Sequence, residues 1–544
     1  MPSYTMSCFK IPLSLSKQIQ SALTRFWWDS KPDKKKLCWV SWDRLTLPKS
    51  AGGLGFREIE TFNDALLAKL SWRILSEPHS LLAQTLLGKY CHSSSFMECK
   101  PPSAPSHGWR GILAGREVLR RGLGWVIGDG ADIPVWNSSW LSTEKPVAPI
   151  GPPNENQTHL RVKDLLYQHS SRWNLAAIRL HLPQYEDSIR KLIPNDFEMK
   201  DELVWLPEKS GVYSTKTGYA LSKVNTAIPE VPPFNWNQCI WNVKTLPKLK
   251  NFLWKMKTRA LPVGETLAMR GIAVDNSCKR CGAMEDELHI LLHCPFANRV
   301  WEQIAVLQKP DPSTTSSMSL LLQSNKRMIN LPPTGLATTP LYPWVYWNLW
   351  TSRNQLLFEN KKYTEQEVAT KATRDARLWH LAQEEKARPR VNHLTSKSRM
   401  VPLIPSALSC FVAAAWDMMS DTCGLGWTLR DESGCYLHQN STSRSCVGSA
   451  LAVETLAMKA ALMEALSSGI RVLNCFSDSK NLITLLTANG NSVELQGILH
   501  DIRVLSSSFI SIFFNFVPRL ENVVADSIAK SALYRFQSAH PLGE

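Results

Sequence analysis

Apolar residues recur at helical spacing along most of this chain and at strand spacing near its end. Phe62, Ala65, Leu66, Leu70, Trp72 and Ile74 stand on one helical face, which predicts a helix following Asn63 or its neighbours. Leu249, Phe252, Leu253 and Met256 repeat the pattern within Pro247–Arg259. Trp344, Trp347 and Trp350 predict another helix, its rings packed in a core. Beyond residue 408 the period changes. Ser409 to Trp416 reads as a strand, Asp417 to Cys423 as a turn, and Gly424 to Arg430 as a second strand. Asp431-Glu-Ser-Gly434 turns into a short third strand. A long helix is predicted from about Ser449 to Ser467, with Glu454 early in it. Then come a strand from Val472 to Ser477 ending at Asp478, a helical stretch, an alternating strand from Ile510 to Phe516, and a last helix opened by Arg519 to Asp526. That order predicts an α/β domain around a mixed sheet, after a mostly helical front.

Proline-rich stretches at 143–153 and 229–233 read as linkers, and the Pro, Ser and Thr of 308–340 as a flexible connector. Residues 359–400 read as charged and helical, then loose. The chain divides on this reading into 1–140, 200–305, 306–407 and 408–536, a multidomain protein. An apolar share of 44% with 21 tryptophans supplies real cores and excludes a disordered chain. The 13 cysteines are scattered without a disulfide framework. No charged-then-apolar leader and no apolar run of about eighteen residues is visible. An intracellular protein of nucleus or cytoplasm, neither secreted nor membrane-bound, is expected.

Charge is uneven. The net is +15, yet residues 401–544 hold 9 Lys/Arg against 12 Asp/Glu, so the first 400 carry +18. A basic front predicts a polyanionic partner, nucleic acid above all. Lys244, Lys248, Lys255 and Arg259 share a helical face that suits a phosphate backbone or simply faces solvent.

The densest chemistry is Cys278-x2-Cys281-x7-His289-x4-Cys294. A thiolate pair on a tight turn, with a histidine and a third cysteine on a following helix, has the spacing of a tetrahedral zinc site. Four protein ligands leave no position for water, so the zinc would be structural. His293 is an alternative to His289, and the bland alternative is a set of buried thiols around a core histidine.

The run Trp241…Pro247-Lys…Phe252-Leu-Trp254…Leu261-Pro…Arg270-Gly271…Cys278-x2-Cys281…Glu287-Leu-His289…Cys294…Val300-Trp301 resembles the zinc-binding domain that follows the polymerase in plant non-LTR retroelement reverse transcriptases. Phe26-Trp-Trp28, Trp39-Val-Ser-Trp42, Gly52-Gly-Leu-Gly-Phe56 and Asn63-Asp-Ala-Leu-Leu-Ala-Lys69 are similar to the segment after the palm in the same family, which makes 1–140 a polymerase tail. Ile127-Gly-Asp-Gly130…Val135-Trp136 continues the pattern as a hairpin with a glycine turn. The palm itself is absent: nucleotidyl transfer needs paired aspartates for two metal ions, and no Asp-Asp pair occurs. The chain looks like a truncated product of such an element and is not a polymerase.

Gly424-x-Gly426, Arg430-Asp431-x-x-Gly434, Ala452-x-Glu454, Ser477-Asp478-Ser479 and Arg519-x-x-Asn522-x-x-Ala525-Asp526 resemble the ribonuclease H-like domain of these elements. The resemblance implies cleavage of the RNA strand of RNA–DNA hybrids by two magnesium ions held by carboxylates. It places Glu454, Asp478 and Asp526 on three of the four metal-binding acids. The fourth, an aspartate in the first strand, falls on Ala413 in Cys410-Phe-Val-Ala413-Ala-Ala-Trp416. Asp417 lies four residues on, about 13 Å at strand rise. A nucleic-acid-binding protein on a ribonuclease H scaffold, with RNA–DNA hybrid or RNA as partner and with impaired cleavage, is the reading this supports. A non-catalytic interaction module and a transposon relic without function are the alternatives.

Overall fold

The computed structural model describes residues 3–29, 34–92, 94–150, 158–168, 170–223, 234–336, 338–387 and 407–539. They fall into two compact units, one of residues 11–60 and 226–395, the other of 1–10, 61–225 and 396–544. The expected linker at 229–233 and the loose stretch after 387 lie outside the described residues.

In the first unit the helix Pro247–Lys257 starts on a proline, which fits a first helical turn because no backbone N–H is needed there. It buries Leu249, Phe252, Leu253, Trp254 and Met256. The Trp254 indole donates to the Gly52 carbonyl at 2.9 Å, so even its ring nitrogen is satisfied inside the core. The tryptophan-rich helix is Tyr342–Glu359, closed by Asn360 in the left-handed conformation. Trp344 and Trp350 are buried, as core packing requires. Residues 308–340 depart from expectation. They carry a helix, Met318–Ser324, with Leu321 and Leu322 fully buried, and a two-stranded pairing of Val306–Leu307 with Ile329–Asn330. Proline and serine content hid four apolar side chains, Leu320 to Leu322 and Met318, that suffice to anchor a turn of helix.

In the second unit the expected helix runs over Ile59–Ser76. The expected hairpin near residue 130 is absent. Leu123–Val126 pairs instead with Glu202–Trp205, antiparallel, and the glycine loop wraps the Asp201 carboxylate, which accepts from the backbone N–H groups of Gly128, Gly130 and Asp132. A charged acceptor outbids a local ladder for those donors.

The C-terminal domain of this unit follows its expected order, except that the helical stretch before the last strand is two helices and the third strand, expected short, runs to nine residues. Strands β1 (Leu408–Asp417), β2 (Thr422–Arg430) and β3 (Tyr436–Arg444) are followed by α1 (Ala450–Ser467), β4 (Val472–Ser477), α2 (Lys480–Thr487), α3 (Gln496–Ser507), β5 (Ser511–Phe516) and α4 (Val523–Ala539). The sheet order is β3-β2-β1-β4-β5. The pairs β1–β2 and β2–β3 are antiparallel, and β1–β4 and β4–β5 are parallel. Cys410, Val412, Cys423, Leu425 and Trp427 face a core shared with Val453, Ala457 and Leu462 of α1 and Ile498 and Ile502 of α3. Alternation sends Ala413, Gly424 and Gly426 to the opposite face. There α4 lies so close that a Cβ on Gly424 would sit 2.0 Å from the Ala529 carbonyl oxygen, and one on Gly426 2.6 Å from the Ala529 nitrogen. Asp501, fully buried on α3, accepts from Lys459 Nζ at 2.5 Å and from the backbone N–H groups of Asp196 and Phe197. Lys459 also reaches Asp196. This paired, buried charge ties residues 196–197 to the domain. No helix of the described residues is long and apolar enough to cross a membrane.

The glycine approach predicts that Gly426→Ala lowers stability by about 1–3 kcal/mol. Gly448→Ala, where an added Cβ meets nothing within 4 Å, should change it by less than about 0.5 kcal/mol. Urea unfolding of the two variants checks the difference, and equal effects would contradict it.

Candidate metal centres

Cys278 and Cys281 sit on a tight turn. The Cys278 N–H donates to the Ala283 carbonyl, the Gly282 N–H donates back to Cys278, and Gly282 takes the positive φ of +78° that reverses the chain. His289 opens a single wide helical turn, His289–His293, that directs its ring at this hairpin. Cys294 precedes the helix Pro295–Gln303, whose first N–H groups favour a thiolate. The four ligand atoms lie within 4.8 Å of one another. Cys281 Sγ is 3.2 Å from His289 Nε2, and Cys294 Sγ is 4.0 Å from Cys278 Sγ and 3.9 Å from Cys281 Sγ. A tetrahedral zinc with sulfur at about 2.3 Å gives edges of about 3.8 Å, so the cluster has the right size. His293 turns its Nε2 to the Thr315 carbonyl, 3.0 Å away, and is not part of the group. Without a cation the thiols share protons: the hydrogen bond between Cys294 and Cys278 holds Cys278 well below the usual thiol range and pushes Cys294 up.

Glu285 and Arg353 brace the hairpin through paired contacts, Nε to Oε1 at 2.7 Å and Nη2 to Oε2 at 2.5 Å, with Glu285 buried and Arg353 half-buried. Glu285 also accepts from the Gly264 N–H. Sequence reasoning passed over this pair, because 68 residues separate its members and neither lies in a motif.

The three acids of the C-terminal domain come from three elements. Glu454 is on the first turns of α1, Asp478 directly follows β4, and Asp526 is in the first turn of α4. Val412 and Ser477 are the last registered pair of β1 and β4. The next residues along are Ala413 and Asp478, on strands about 4.8 Å apart. Asn522 clamps this corner: its side-chain amide donates to the Val412 carbonyl at 2.8 Å and to Asp478 Oδ1 at 3.2 Å. Arg519 reaches Asp478 Oδ2 at 4.0 Å and Asp526 Oδ1 at 3.4 Å, and Lys530 meets Asp526 Oδ2 at 2.6 Å. Glu454 has no such partner, and its Oε2 is buried without a hydrogen bond. Burial first, then the charge of Asp478 and, less strongly, Asp526, push its carboxyl up to about 8 against the pull of Arg519. Asp417 is held in the β1–β2 turn by Ser420, the Met419 N–H and Gln537. Among the described residues only the Cys/His group brings all its ligand atoms within metal-sharing distance; the acids are near enough to feel one another and less tightly gathered. Lys530 was legible as an i+4 partner of Asp526, whereas the Asn522 clamp needs the fold.

The family described as zinc-binding in reverse transcriptase matches residues 213–301, and the family described as reverse transcriptase-like matches 411–532. An uncharacterized mitochondrial protein of Arabidopsis thaliana is 47% identical over 151 residues, which are 28% of this chain and 98% of that protein. The "Putative ribonuclease H protein" of Arabidopsis thaliana is 29% identical over 335 residues, 60% of this chain. The chain spans about half of that relative's length, 53%. Among solved structures, ribonuclease H1 of the halophilic archaeon Halobacterium salinarum aligns at 22% identity over 24% of this chain and 98% of that one, with a TM-score of 0.23.

The raised Glu454 carboxyl fixes a pH dependence. Between pH 4.5 and about 8 the folded state keeps a proton that the unfolded state has lost, so unfolding releases it and stability falls as pH rises through that window. In magnesium-free buffer Glu454→Gln should match the unaltered chain below pH 4.5 and exceed it above pH 8, by about 1–2 kcal/mol after allowance for partial exposure. Urea unfolding at a series of pH values tests this. A difference that does not change with pH would contradict it.

Proposed function

Since the chain belongs to the plant retroelement reverse transcriptase-related family, with a reverse transcriptase zinc-binding domain and a ribonuclease H-like domain, we propose that it binds nucleic acid on that scaffold and cleaves RNA–DNA hybrids weakly or not at all. The observation that carries this reading is the alanine at 413, beside Asp478 at the corner clamped by Asn522. Glu454, Asp478 and Asp526 would hold magnesium, and the unpartnered buried oxygen of Glu454 fits a cation. Bound magnesium supplies an activated water and charge stabilisation for the leaving oxygen. A buried methyl at position 413 offers neither an oxygen nor a charge to a second ion. Asp526 is in addition neutralised within the chain by Lys530 and Arg519, which favours binding without turnover.

The Cys278, Cys281, His289 and Cys294 group holds a structural zinc on this reading. With all four residues as ligands, the 278–282 turn would be tied to the start of the helix at Pro295, and no position would remain for substrate. The unit that carries it supplies the affinity for nucleic acid: residues 11–60 and 226–395 contain 31 Lys/Arg against 19 Asp/Glu, +12 of the total of +15.

Elemental analysis of the purified chain should find about one zinc, held at the four-ligand site, and Cys281→Ser should lower zinc content and stability together. A zinc-free, fully folded chain would remove this part of the reading. For the second centre, hybrid cleavage is followed across a magnesium titration. Ala413→Asp should raise the rate on the order of a hundredfold, and combination with Asp478→Asn should abolish the gain. Full cleavage by the chain as it stands would contradict the proposal.

A further inference from the structure

The lysines of the helix Pro247–Lys257 divide into two sets. Lys248 lies 4.1 Å over the Trp347 ring, and Lys250 donates to the Trp241 carbonyl at 2.7 Å. Lys250 is thereby satisfied within the unit, whereas Lys248 is exposed to solvent. Lys255 and Lys257 are half-buried and make no hydrogen bond or ion pair among the described residues; their ammonium groups rest on ring faces, Lys255 at 5.4 Å from Trp28, Lys257 at 5.0 Å from Phe234 and 5.6 Å from Trp236.

What faces them is more positive charge. Lys255 rests on Trp28, whose neighbour Asp29 takes the Lys36 N–H at 2.7 Å, and Lys257 rests on Trp236, which packs on Gly52 next to the Gly53–Arg44 backbone contact. Burial first, then the charges of Lys36 and Arg44, hold both lysines below the ordinary ammonium range. Arg25 adds to the group through its contact with the Lys36 carbonyl. The nearby Asp29 carboxylate is engaged by Arg25 and by the Lys36 backbone N–H, and among the described residues no carboxylate bonds the side chain of Lys36, Arg44, Lys255 or Lys257. Cations from segments more than two hundred residues apart in sequence are thus brought together with part of their water removed. Such a cluster is costly without a counter-ion and becomes favourable against a chain of phosphates. The ring faces stabilise the ammonium groups in place while leaving them free of hydrogen-bonded partners.

We infer that Lys36, Arg44, Lys255 and Lys257 form a phosphate-backbone site that takes the phosphodiester chain of a nucleic acid. This rests on the nucleic-acid-binding reading above and assigns the contact to one face of the zinc-bearing unit.

The test is fluorescence anisotropy of the full chain with a labelled single-stranded DNA oligonucleotide across a salt series. Each phosphate contact on a single strand contributes about 0.7 to the slope of log affinity on log salt. Lys36→Gln with Arg44→Gln, both exposed residues, should weaken binding by about tenfold at about 0.1 M salt and flatten the slope by about 1.4. Lys255→Gln with Lys257→Gln should do the same, with circular dichroism checking that the helix stays folded. The matched control, Lys216→Gln with Lys362→Gln, removes two exposed charges elsewhere and should bind as the unaltered chain does. If the unaltered chain binds and the Lys36/Arg44 variant tracks the control in affinity and slope, this site is wrong and the broader reading stands. If the unaltered chain binds no nucleic acid, both fall.

Discussion

The C-terminal domain depends on how closely α4 lies against β2. Backbone meets backbone there, with Gly424 and Gly426 under Ala529 and no side chain between. That approach sets the height of the helix over the sheet, and Asn522 at its start fixes its position along the sheet by bonding Val412 and Asp478 at once. Asp526, one turn further along, is thereby delivered to the same corner as Asp478 and Glu454. The acid cluster is a consequence of two glycines and one asparagine.

The two centres handle buried charge in opposite ways. In the zinc-type cluster three thiols and an imidazole are gathered to about the edge lengths of a tetrahedron, their ligand atoms all within 4.8 Å of one another. Their arrangement makes sense around a dication. In the acid cluster the chain supplies its own cations: Lys530 and Arg519 neutralise Asp526, Arg519 approaches Asp478, and only Glu454 is left to carry a proton at neutral pH. A group of three carboxylates can be stable in this way without any metal.

Turn residues and apolar, β-prone runs made the strands of the C-terminal domain legible even though their burial differs: β2 is buried on both faces and β3 on neither. The Cys/His spacing likewise announced its cluster, while the choice of His289 over His293 needed the wide helical turn that points one ring at the hairpin and the other at Thr315. Contacts between distant segments were not legible. Asp501 capping residues 196 and 197, Asp201 gathering the N–H groups of 128–132, and Lys255 resting on Trp28 all join residues with no periodic or motif relation. Of the basic face expected from Lys244, Lys248, Lys255 and Arg259, Lys248 lies over the Trp347 ring, Lys255 over the Trp28 ring, and Arg259 reaches Glu265 at 3.8 Å. The folding of 308–340 was missed because its few apolar residues sit among prolines and serines that read as a linker.

The central claim is that one missing carboxylate leaves this ribonuclease H-like domain without its second metal site. Electron paramagnetic resonance of manganese titrated into the zinc-loaded chain counts bound ions independently of substrate and turnover. The account predicts at most one weakly held manganese for the chain as it stands and a second, tighter one after Ala413→Asp. Two tightly bound manganese ions in the unaltered chain, lost together in Asp478→Asn, would contradict it.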